Sequence, residues 1–292
     1  MTAPSDNVKG ALYMTLAMAG FAINDAAIKV VLADMPLYPA ILMRGGLMAL
    51  VLVAACWATG GFAWRPGPRD RRLVAWRTVA EVATTLLFLT ALAQLPLANA
   101  NAILQASPLA VTLAAALFLG ESVGWRRALA LGVGFLGVMI IVRPGLAGFN
   151  PYAMLALAAV ATITLRDIVT RQFSRAVPTL PVALVTTLAT LGVGAIGSAA
   201  HPWPAFTPAH LAWLSLSAAA LTLAYTCSVL TMRWGEISFI APFRYTILLW
   251  AILLGILIFG DLPDALTLLG AALVVGSGLF TFWRERRLSR VP

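Results

Sequence analysis

The sequence predicts an all-α membrane protein in which ten transmembrane helices form two five-helix halves of opposite orientation. Apolar residues make up 61% of the 292 residues and charged residues only 11%, whereas a soluble domain carries about a quarter charged residues. The apolar residues form runs that are long enough for helices to cross about 30 Å of hydrocarbon. A repeated charge pattern then divides these runs into two halves.

Ten apolar runs are predicted to span the membrane, with Pro39, Pro96, Pro144, Pro181 and Pro263 at or near their ends. The predicted spans, numbered 1 to 10, are 8–32, 38–58, 73–95, 98–119, 125–143, 151–172, 181–199, 210–232, 237–259 and 265–283. Only a few residues separate spans 3 and 4, which predicts a tight turn. The first run lacks the basic region and cleavage site of a signal peptide, so it is predicted to remain as a span.

The distribution of Lys and Arg predicts the orientation. Of the 20 cations, 14 fall on one side, Arg143 alone falls on the other, and five lie within spans. Because cytoplasmic loops are enriched in cations, both termini are predicted to be cytoplasmic and the chain to lie in the cell inner (plasma) membrane, surrounded by lipid. The net charge of +9 is therefore no sign of a nucleic-acid partner. Cys56 and Cys227 fall in apolar runs and indicate neither disulfides nor a metal site.

Two matching charge pairs indicate an internal repeat. Asp25 and Lys29 are spaced i, i+4 in span 1, and Asp167 and Arg171 have the same spacing in span 6. The two aspartates are 167 − 25 = 142 residues apart, as are Pro39 and Pro181. The sequence therefore predicts two units, residues 1–145 and 146–292. Because each unit contains five spans, an odd number, the second enters the membrane from the opposite side, which makes an inverted-topology repeat.

Short motifs in both halves resemble the EamA-type repeats of the drug/metabolite transporter superfamily. They are Ala98-Asn99-Ala100, Ser107-Pro108 and Gly120-Glu121 in the first half, and Ala241-Pro242 and Gly260-Asp261 in the second. The resemblance covers nearly the whole chain, and within the superfamily the chain is most similar to amino-acid exporters of the YddG type. One departure is Asp261, where the family usually has Glu. The resemblance implies a central cavity lined by helices 1, 3, 4, 6, 8 and 9 and the movement of small metabolites, often outward.

Charged residues inside the spans are predicted to form two clusters, because intramembrane charges are costly and usually functional. Asp25 and Arg44 are expected in the outer third of the membrane. The residues expected in the inner third are Arg77, Glu81, Arg166, Asp167 and Arg244. We interpret the two clusters, together with Lys29, as gates that close a mouth when paired. The alternative is that Asp25–Lys29, Arg77–Glu81 and Asp167–Arg171 are local pairs that only hold helix ends.

Several further residues, all uncharged except Arg244, are candidates for lining the cavity. Asn101, Gln105 and Pro108 recur at i, i+4 and i+7 and predict a polar stripe on span 4. Arg244 follows the helix-breaking Pro242 and could hold a substrate carboxylate, or instead pair with Glu81 or Asp167. The other candidates are Thr84, Tyr225, Tyr245 and Trp250, of which the aromatic ones could stack on a substrate. The alternative for all of them is packing between helices.

The sequence contains no phosphate-binding loop and only two lysines, Lys9 and Lys29, so ATP hydrolysis is not expected in this chain. We expect no cofactor, metal or catalytic residue, and no ATPase partner is evident. The predicted function is export of amino acids, including aromatic and other neutral ones, or of related metabolites by alternating access. Alternatives are transport of drugs, nucleotide sugars or S-adenosylmethionine, and uptake instead of export. A membrane enzyme or an assembly factor is the alternative outside transport. The sequence leaves proton coupling open.

Overall fold

The computed structural model describes residues 4–119, 124–144, 149–174, 177–201, 203, 205–231 and 237–288, and every regular element in these ranges is helical. The α-helices are α1 (Pro4–Asp34), α2 (Leu37–Ala58), α3 (Pro68–Gln94), α4 (Leu97–Leu104), α5 (Ser107–Leu119), α6 (Trp125–Val142), α7 (Tyr152–Arg171), α8 (Thr179–Ala199), α9 (Pro208–Thr231), α10 (Ile237–Ile240), α11 (Thr246–Leu254) and α12 (Ala265–Leu288). Some parts of the sequence predictions lie outside the described ranges: Gly120–Glu121, the unit boundary at 145/146, and three of the 14 cations counted on the cytoplasmic side, Arg175, Arg233 and Arg290.

The helices have the lengths and surfaces of membrane spans. Eight helical stretches are long and apolar enough to cross a membrane, and two shorter apolar helices, Ala128–Val142 and Ala265–Thr281, complete the ten predicted spans. Large apolar side chains point outward: Phe118, Ile196 and Leu257 are each at least 70% exposed. In water so much exposed apolar surface would drive aggregation, so it matches a lipid environment. The all-α fold and its ten helices are confirmed.

Span 4 is interrupted, which corrects the predicted continuous stripe of Asn101, Gln105 and Pro108. α4 ends at Leu104 and α5 begins at Ser107. Pro108 has no backbone N–H to donate to the carbonyl of Leu104 four residues earlier. The Ser107 hydroxyl donates to that carbonyl instead, at 2.6 Å. Because the helix breaks at Gln105, Asn101 and Pro108 belong to different helices.

Span 9 is also irregular. A short 3-10 stretch, Ala241–Tyr245, contains Pro242 and connects α10 to α11. After α11 the helix widens into a π-helical turn, Gly255–Phe259. The span ends at Gly260, whose φ of 69° is a conformation that favours glycine. The N–H of Asp261 donates to the carbonyl of Gly255 at 3.0 Å and closes the end. Spans 4 and 9 touch at their interruptions, where Gln105 Nε2 donates to the backbone carbonyl of Arg244 at 3.4 Å.

The helices pack most extensively in four pairs: α1 with α9, α2 with α8, α3 with α7, and α6 with α12. In the last pair the backbones meet. A Cβ added to Gly270 would lie 2.5 Å from the carbonyl oxygen of Gly137, so only glycine fits there. Tyr245 packs in a similar way against Gly278, where an added Cβ would collide with the tyrosine hydroxyl. These contacts hold α12 against α6 and against the interruption of span 9.

Candidate functional site

A first polar cluster forms around Asn24, where α1, α2 and α9 meet. Asn24 Nδ2 donates to Asp25 Oδ1 at 3.0 Å. Its oxygen accepts from Ser217 Oγ at 2.7 Å and from Arg44 Nη1 at 3.4 Å. Asn24 and Asp25 are buried, and Asp25 also interacts with Arg44 by charge and with the Asn101 side chain by hydrogen bonding. Asn24 and the nearby Arg44 and Asn101 favour the charged form of Asp25, whereas its burial opposes that form.

A second polar cluster joins α3 to α7 and α8. Arg166 Nη1 lies 3.1 Å from Glu81 Oε2, and Arg166 Nε lies 2.9 Å from Asp167 Oδ1. Arg77 Nη1 donates to Thr186 Oγ1 at 3.0 Å. The side chains of Arg166, Glu81 and Asp167 are 24%, 20% and 40% exposed, so this cluster borders accessible space within the bundle. It contains both guanidinium and carboxylate groups that an entering solute can reach.

Lys29, Glu81 and Arg77 bind residues of other helices. The alternative interpretation had each of them paired within its own helix. Lys29 Nζ donates to the carbonyls of Leu92 and Leu95 at 2.8 and 2.7 Å, both at the end of α3. Glu81 is bound by Arg166 of α7, while Arg77 of its own helix reaches Thr186 of α8. Because these contacts cross from one helix to another, a movement between helices would have to break them.

Tyr225 lies between the two polar clusters. Its neutral phenol lies within electrostatic range of Arg44 of the first cluster and of Glu81, Arg166 and Arg77 of the second. Its ring packs edge-on against Phe21, with centroids 5.4 Å apart. The side chain of Tyr225 is nevertheless 49% exposed. An exposed ring among intramembrane charges marks an open space inside the bundle, walled by α1, α2, α3, α7 and α9.

The other predicted lining residues have different surroundings. Thr84 is buried, with its hydroxyl 2.7 Å from that of Thr162, and so joins α3 to α7. Tyr245 is buried against Gly278, whereas Trp250 is partly buried and packs on the apolar core. Arg244 is exposed and forms no ion pair within the part of the chain that the structure describes. Its predicted alternative partners, Glu81 and Asp167, are both bound by Arg166.

Asn24, Ser217, Thr186 and Phe21 complete the site and were missed by the sequence predictions. Ser and Thr occur throughout the spans, and most donate to a carbonyl of their own helix, as Thr186 does to Val182 at 2.7 Å. Nothing in the sequence distinguishes those that also receive a bond from another helix. Only Asn24 could have been found from the sequence. It directly precedes the intramembrane Asp25, and an amide can donate a hydrogen bond to a neighbouring carboxylate.

An apolar groove of about 370 Å³ between α2 and α9 is separate from these clusters. It is lined by Leu42, Met43, Gly46, Leu47, Leu50, Leu211 and Leu214. No polar side chain lines it, so it does not suit a polar solute.

Comparisons with known proteins all point to transporters. A model of the EamA-like transporter family matches residues 8–143. An S-adenosylmethionine uptake transporter of Rickettsia bellii is 27% identical, over 66% of this chain and 66% of that protein. A riboflavin transporter of Rhizobium johnstonii is 30% identical, over 74% of this chain and 73% of the relative. A pseudopaline exporter of Pseudomonas aeruginosa is 27% identical, over 91% and 93%. None of these three is named as an amino-acid exporter.

The fold has a counterpart among solved structures. One crystal structure aligns with a TM-score of 0.63 over 98% of this chain and 99% of its own, at 20% sequence identity. At that identity the match concerns the fold alone.

Proposed function

Because the chain belongs to the EamA-like transporter family, we propose that it is a secondary transporter of the inner membrane that exports a small metabolite carrying an α-amino-acid group. The solute binds in the space around Tyr225 and crosses by alternating access. Amino acids, including aromatic and other neutral ones, are the first candidates. This proposal goes beyond the names of the relatives, two of which are named as an uptake transporter and an exporter of other solutes.

The surroundings of Tyr225 carry the proposal. The ring is partly exposed and lies within electrostatic range of Arg44 and of the Glu81–Arg166 pair. A guanidinium suits a carboxylate, and a carboxylate suits an ammonium group, so the two sides together suit a zwitterion. The face of Tyr225 adds stacking for a ring or attraction for a cation. The charged groups already compensate one another, so a solute without net charge fits with the least electrostatic cost.

The helix pairing supports an inverted repeat and hence alternating access. If each span n of the first half corresponds to span n + 5, exchanging the halves turns the α1–α9 pair into the α7–α3 pair. The α2–α8 and α6–α12 pairs exchange with themselves. All four are the most extensive pairings observed. The touching interruptions of spans 4 and 9 are also typical of a transporter site at a repeat interface.

S-adenosylmethionine is a second candidate substrate. It has an amino-acid group, a ring and an extra positive charge, and a relative at 27% identity is named as its uptake transporter. The observation that favours it is the partly exposed Asp167, which adds a second carboxylate beside Glu81. A solute with a surplus positive charge would be stabilised there.

Counterflow into liposomes tests the proposal. Purified protein is reconstituted into vesicles loaded with unlabelled solute, and uptake of the labelled solute is followed for neutral amino acids, aromatic amino acids, S-adenosylmethionine and riboflavin. We expect counterflow with at least one aromatic amino acid, and its loss when Tyr225 is changed to Ala. Counterflow with riboflavin alone would contradict the zwitterion preference. A Tyr152→Ala variant, which alters an exposed tyrosine at the start of α7, is the matched control.

A further inference from the structure

The ammonium group of Lys29 occupies a site that other parts of the chain build. Its Nζ is 2.8 Å from the carbonyl oxygen of Leu92 and 2.7 Å from that of Leu95. Leu92 would normally receive a bond from the N–H four residues later, but that residue is Pro96, which has none. The carbonyls at the end of a helix also carry its negative partial charge. The end of α3 therefore offers two unfilled acceptors to a cation.

The end of span 9 completes the site. The ring of Phe259 lies with its centroid 5.3 Å from Lys29 Nζ, and the carboxylate of Asp261 interacts with the same ammonium by charge. Both residues are held by the π-helical turn and by the bond from the Asp261 N–H to Gly255. Two carbonyls and an aromatic face, with a carboxylate near enough to attract the charge, suit a primary ammonium group.

Lys29 connects helix pairs that otherwise touch little at this point. α1 packs mainly on α9, and α3 packs mainly on α7. The lysine side chain leaves α1 and binds the end of α3 beside the end of span 9. If the α1–α9 and α3–α7 pairs separate during transport, the two bonds from Lys29 to the carbonyls of α3 must break.

We propose that the carbonyl ends of α3, Phe259 and Asp261 form an ammonium-binding site, and that Lys29 occupies it as a latch that keeps this end of the bundle closed. The proposal rests on the proposed alternating-access function. The site recognises a primary ammonium, so the amino group of a passing solute competes with Lys29 for the same acceptors. The latch and the transported solute are linked because each carries an ammonium group that binds the same acceptors.

Cysteine labelling tests the latch without any transport measurement. A cysteine replaces Tyr225 inside the bundle, in a background in which the buried Cys56 and Cys227 are changed to Ser. An impermeant maleimide is added from the face at which α3 ends, identified with a separate cysteine at the exposed Ala33. We expect Lys29→Met to speed labelling roughly tenfold, within the range by which one coupled contact shifts a two-state equilibrium. Lys29→Arg should label slowly, as the unaltered latch does.

The other lysine of the chain provides the control. Lys9 is exposed and lies 4.0 Å from Asp6, far along α1 from Lys29, and Lys9→Met should leave labelling unchanged. Equal labelling of the Lys29→Met and Lys9→Met proteins would overturn the latch. A lack of counterflow with every solute would count against the proposed function, while the labelling result would still stand.

A rescue experiment tests the ammonium-binding site even where a Lys29 variant folds poorly. Lys29→Ala leaves the acceptors empty, and added n-butylammonium replaces the missing side chain. We expect n-butylammonium to raise the midpoint of thermal unfolding of Lys29→Ala but not that of Lys9→Ala. No selective rise would overturn the ammonium-binding site.

Discussion

Asn24 is the residue that links the charges of the first cluster to the helices around it. Its amide donates to Asp25, and its oxygen accepts from Arg44 and Ser217. One side chain therefore satisfies groups from α1, α2 and α9. A buried carboxylate held in this way adds little net stability but is sensitive to the loss of any partner. At the residue scale the site is a set of charges kept in place by neutral amides and hydroxyls.

Asp25→Asn is expected to slow transport without unfolding the protein. The amide has nearly the same shape, and Asn101 and Asn24 remain as neighbours, but Arg44 loses its compensating charge. A tenfold fall in rate corresponds to about 1.4 kcal/mol, and we expect a fall of at least that size with an unchanged folded yield. Initial rates of counterflow and elution from a sizing column measure the two quantities. An unchanged rate would remove Asp25 from the mechanism.

Asp264 is expected to stabilise the protein at neutral pH and not in strong acid. It lies in the loop before α12, bound by the guanidinium of Arg143, and accepts from the Thr267 N–H at 2.8 Å. The bond from Arg143 is the main cause that lowers the pKa of Asp264 from 3.8 to about 2. Because the pKa is lower in the folded state, the stabilisation is complete above about pH 4 and is lost as pH falls towards 2.

The measurement compares wild type with Asp264→Asn, which can still cap α12. The side chain of Asp264 is 53% exposed, so solvent screening limits the difference in unfolding free energy at pH 6 to at most about 1 kcal/mol. Thermal unfolding at pH 6 and at pH 2.5 should show that the difference in stability between the two proteins is smaller in acid. A difference in stability between wild type and Asp264→Asn that is the same at pH 6 and pH 2.5 would contradict the role of the Arg143–Asp264 pair.

At the scale of elements, two prolines remove donors that side chains then replace. Pro108 leaves the carbonyl of Leu104 to the Ser107 hydroxyl, and Pro96 leaves that of Leu92 to Lys29. In lipid no water is present to fill such acceptors, so each needs a partner within the protein. The irregular points of the helices are therefore also the points at which other side chains converge.

A double-mutant cycle on Ser107 and Pro108 tests this substitution of donors. Ser107→Ala alone should cost about 1 kcal/mol, because the carbonyl of Leu104 loses its partner. In a Pro108→Ala background the backbone N–H returns, so Ser107→Ala should cost little. Unfolding by a denaturing detergent measures each variant. Equal costs in both backgrounds would show that the hydroxyl and the proline are independent.

The contact between α6 and α12 should not tolerate a methyl group. A Cβ at Gly270 would lie 2.5 Å from the Gly137 oxygen and 2.6 Å from Ile141. Gly270→Ala is therefore expected to destabilise the protein by about 1–3 kcal/mol, as overpacking does. Gly276→Ala on the same helix meets nothing within 4 Å, and it should be neutral or slightly stabilising because alanine favours a helix. Similar unfolding midpoints for the two variants would contradict the close approach.

The sequence predicts the elements well because hydropathy and proline positions define spans directly. It also predicts that Asp25 and Arg44 belong together, and that Glu81 belongs with Arg166, from depth alone. The partners that complete each cluster depend on the rotation of each helix about its axis, which depth does not specify. Lys29 shows the limit: its spacing from Asp25 suggested a local pair, whereas tertiary packing directs it to the unfilled carbonyls of α3. The break at Gln105 was missed because Pro108 alone does not specify where a helix ends.

At the scale of the whole molecule, the predicted halves are interleaved, since each of the four extensive helix pairs joins one helix of the first half to one of the second: α1–α9, α3–α7, α2–α8 and α6–α12. No half can therefore move as a block of consecutive helices. For the proposed alternating access, we expect the moving parts to be pairs that contain one helix from each half. The polar clusters lie where these pairs face each other.

The inverted repeat predicts that Asp25 and Asp167 lie near opposite faces of the membrane. Cysteines at the exposed Ala33 and Thr170, close to each of them, are labelled in intact cells and in lysed cells with an impermeant maleimide. We expect Ala33 to react in intact cells and Thr170 only after lysis. A cysteine at the exposed Thr59, at the end of α2, should behave like Thr170. Labelling of Ala33 and Thr170 from one face would refute the inverted arrangement.

The glycine contact between α6 and α12 has a consequence for motion. The two backbones touch at Gly137 and Gly270, so no side chain lies between them at this point. A sliding or rotation of one helix against the other therefore cannot be accommodated there by a change of rotamer. These two helices must travel together, and they close each half of the chain. For the proposed alternating access, we expect this pair to serve as a common reference from which displacements of the other eight spans can be measured.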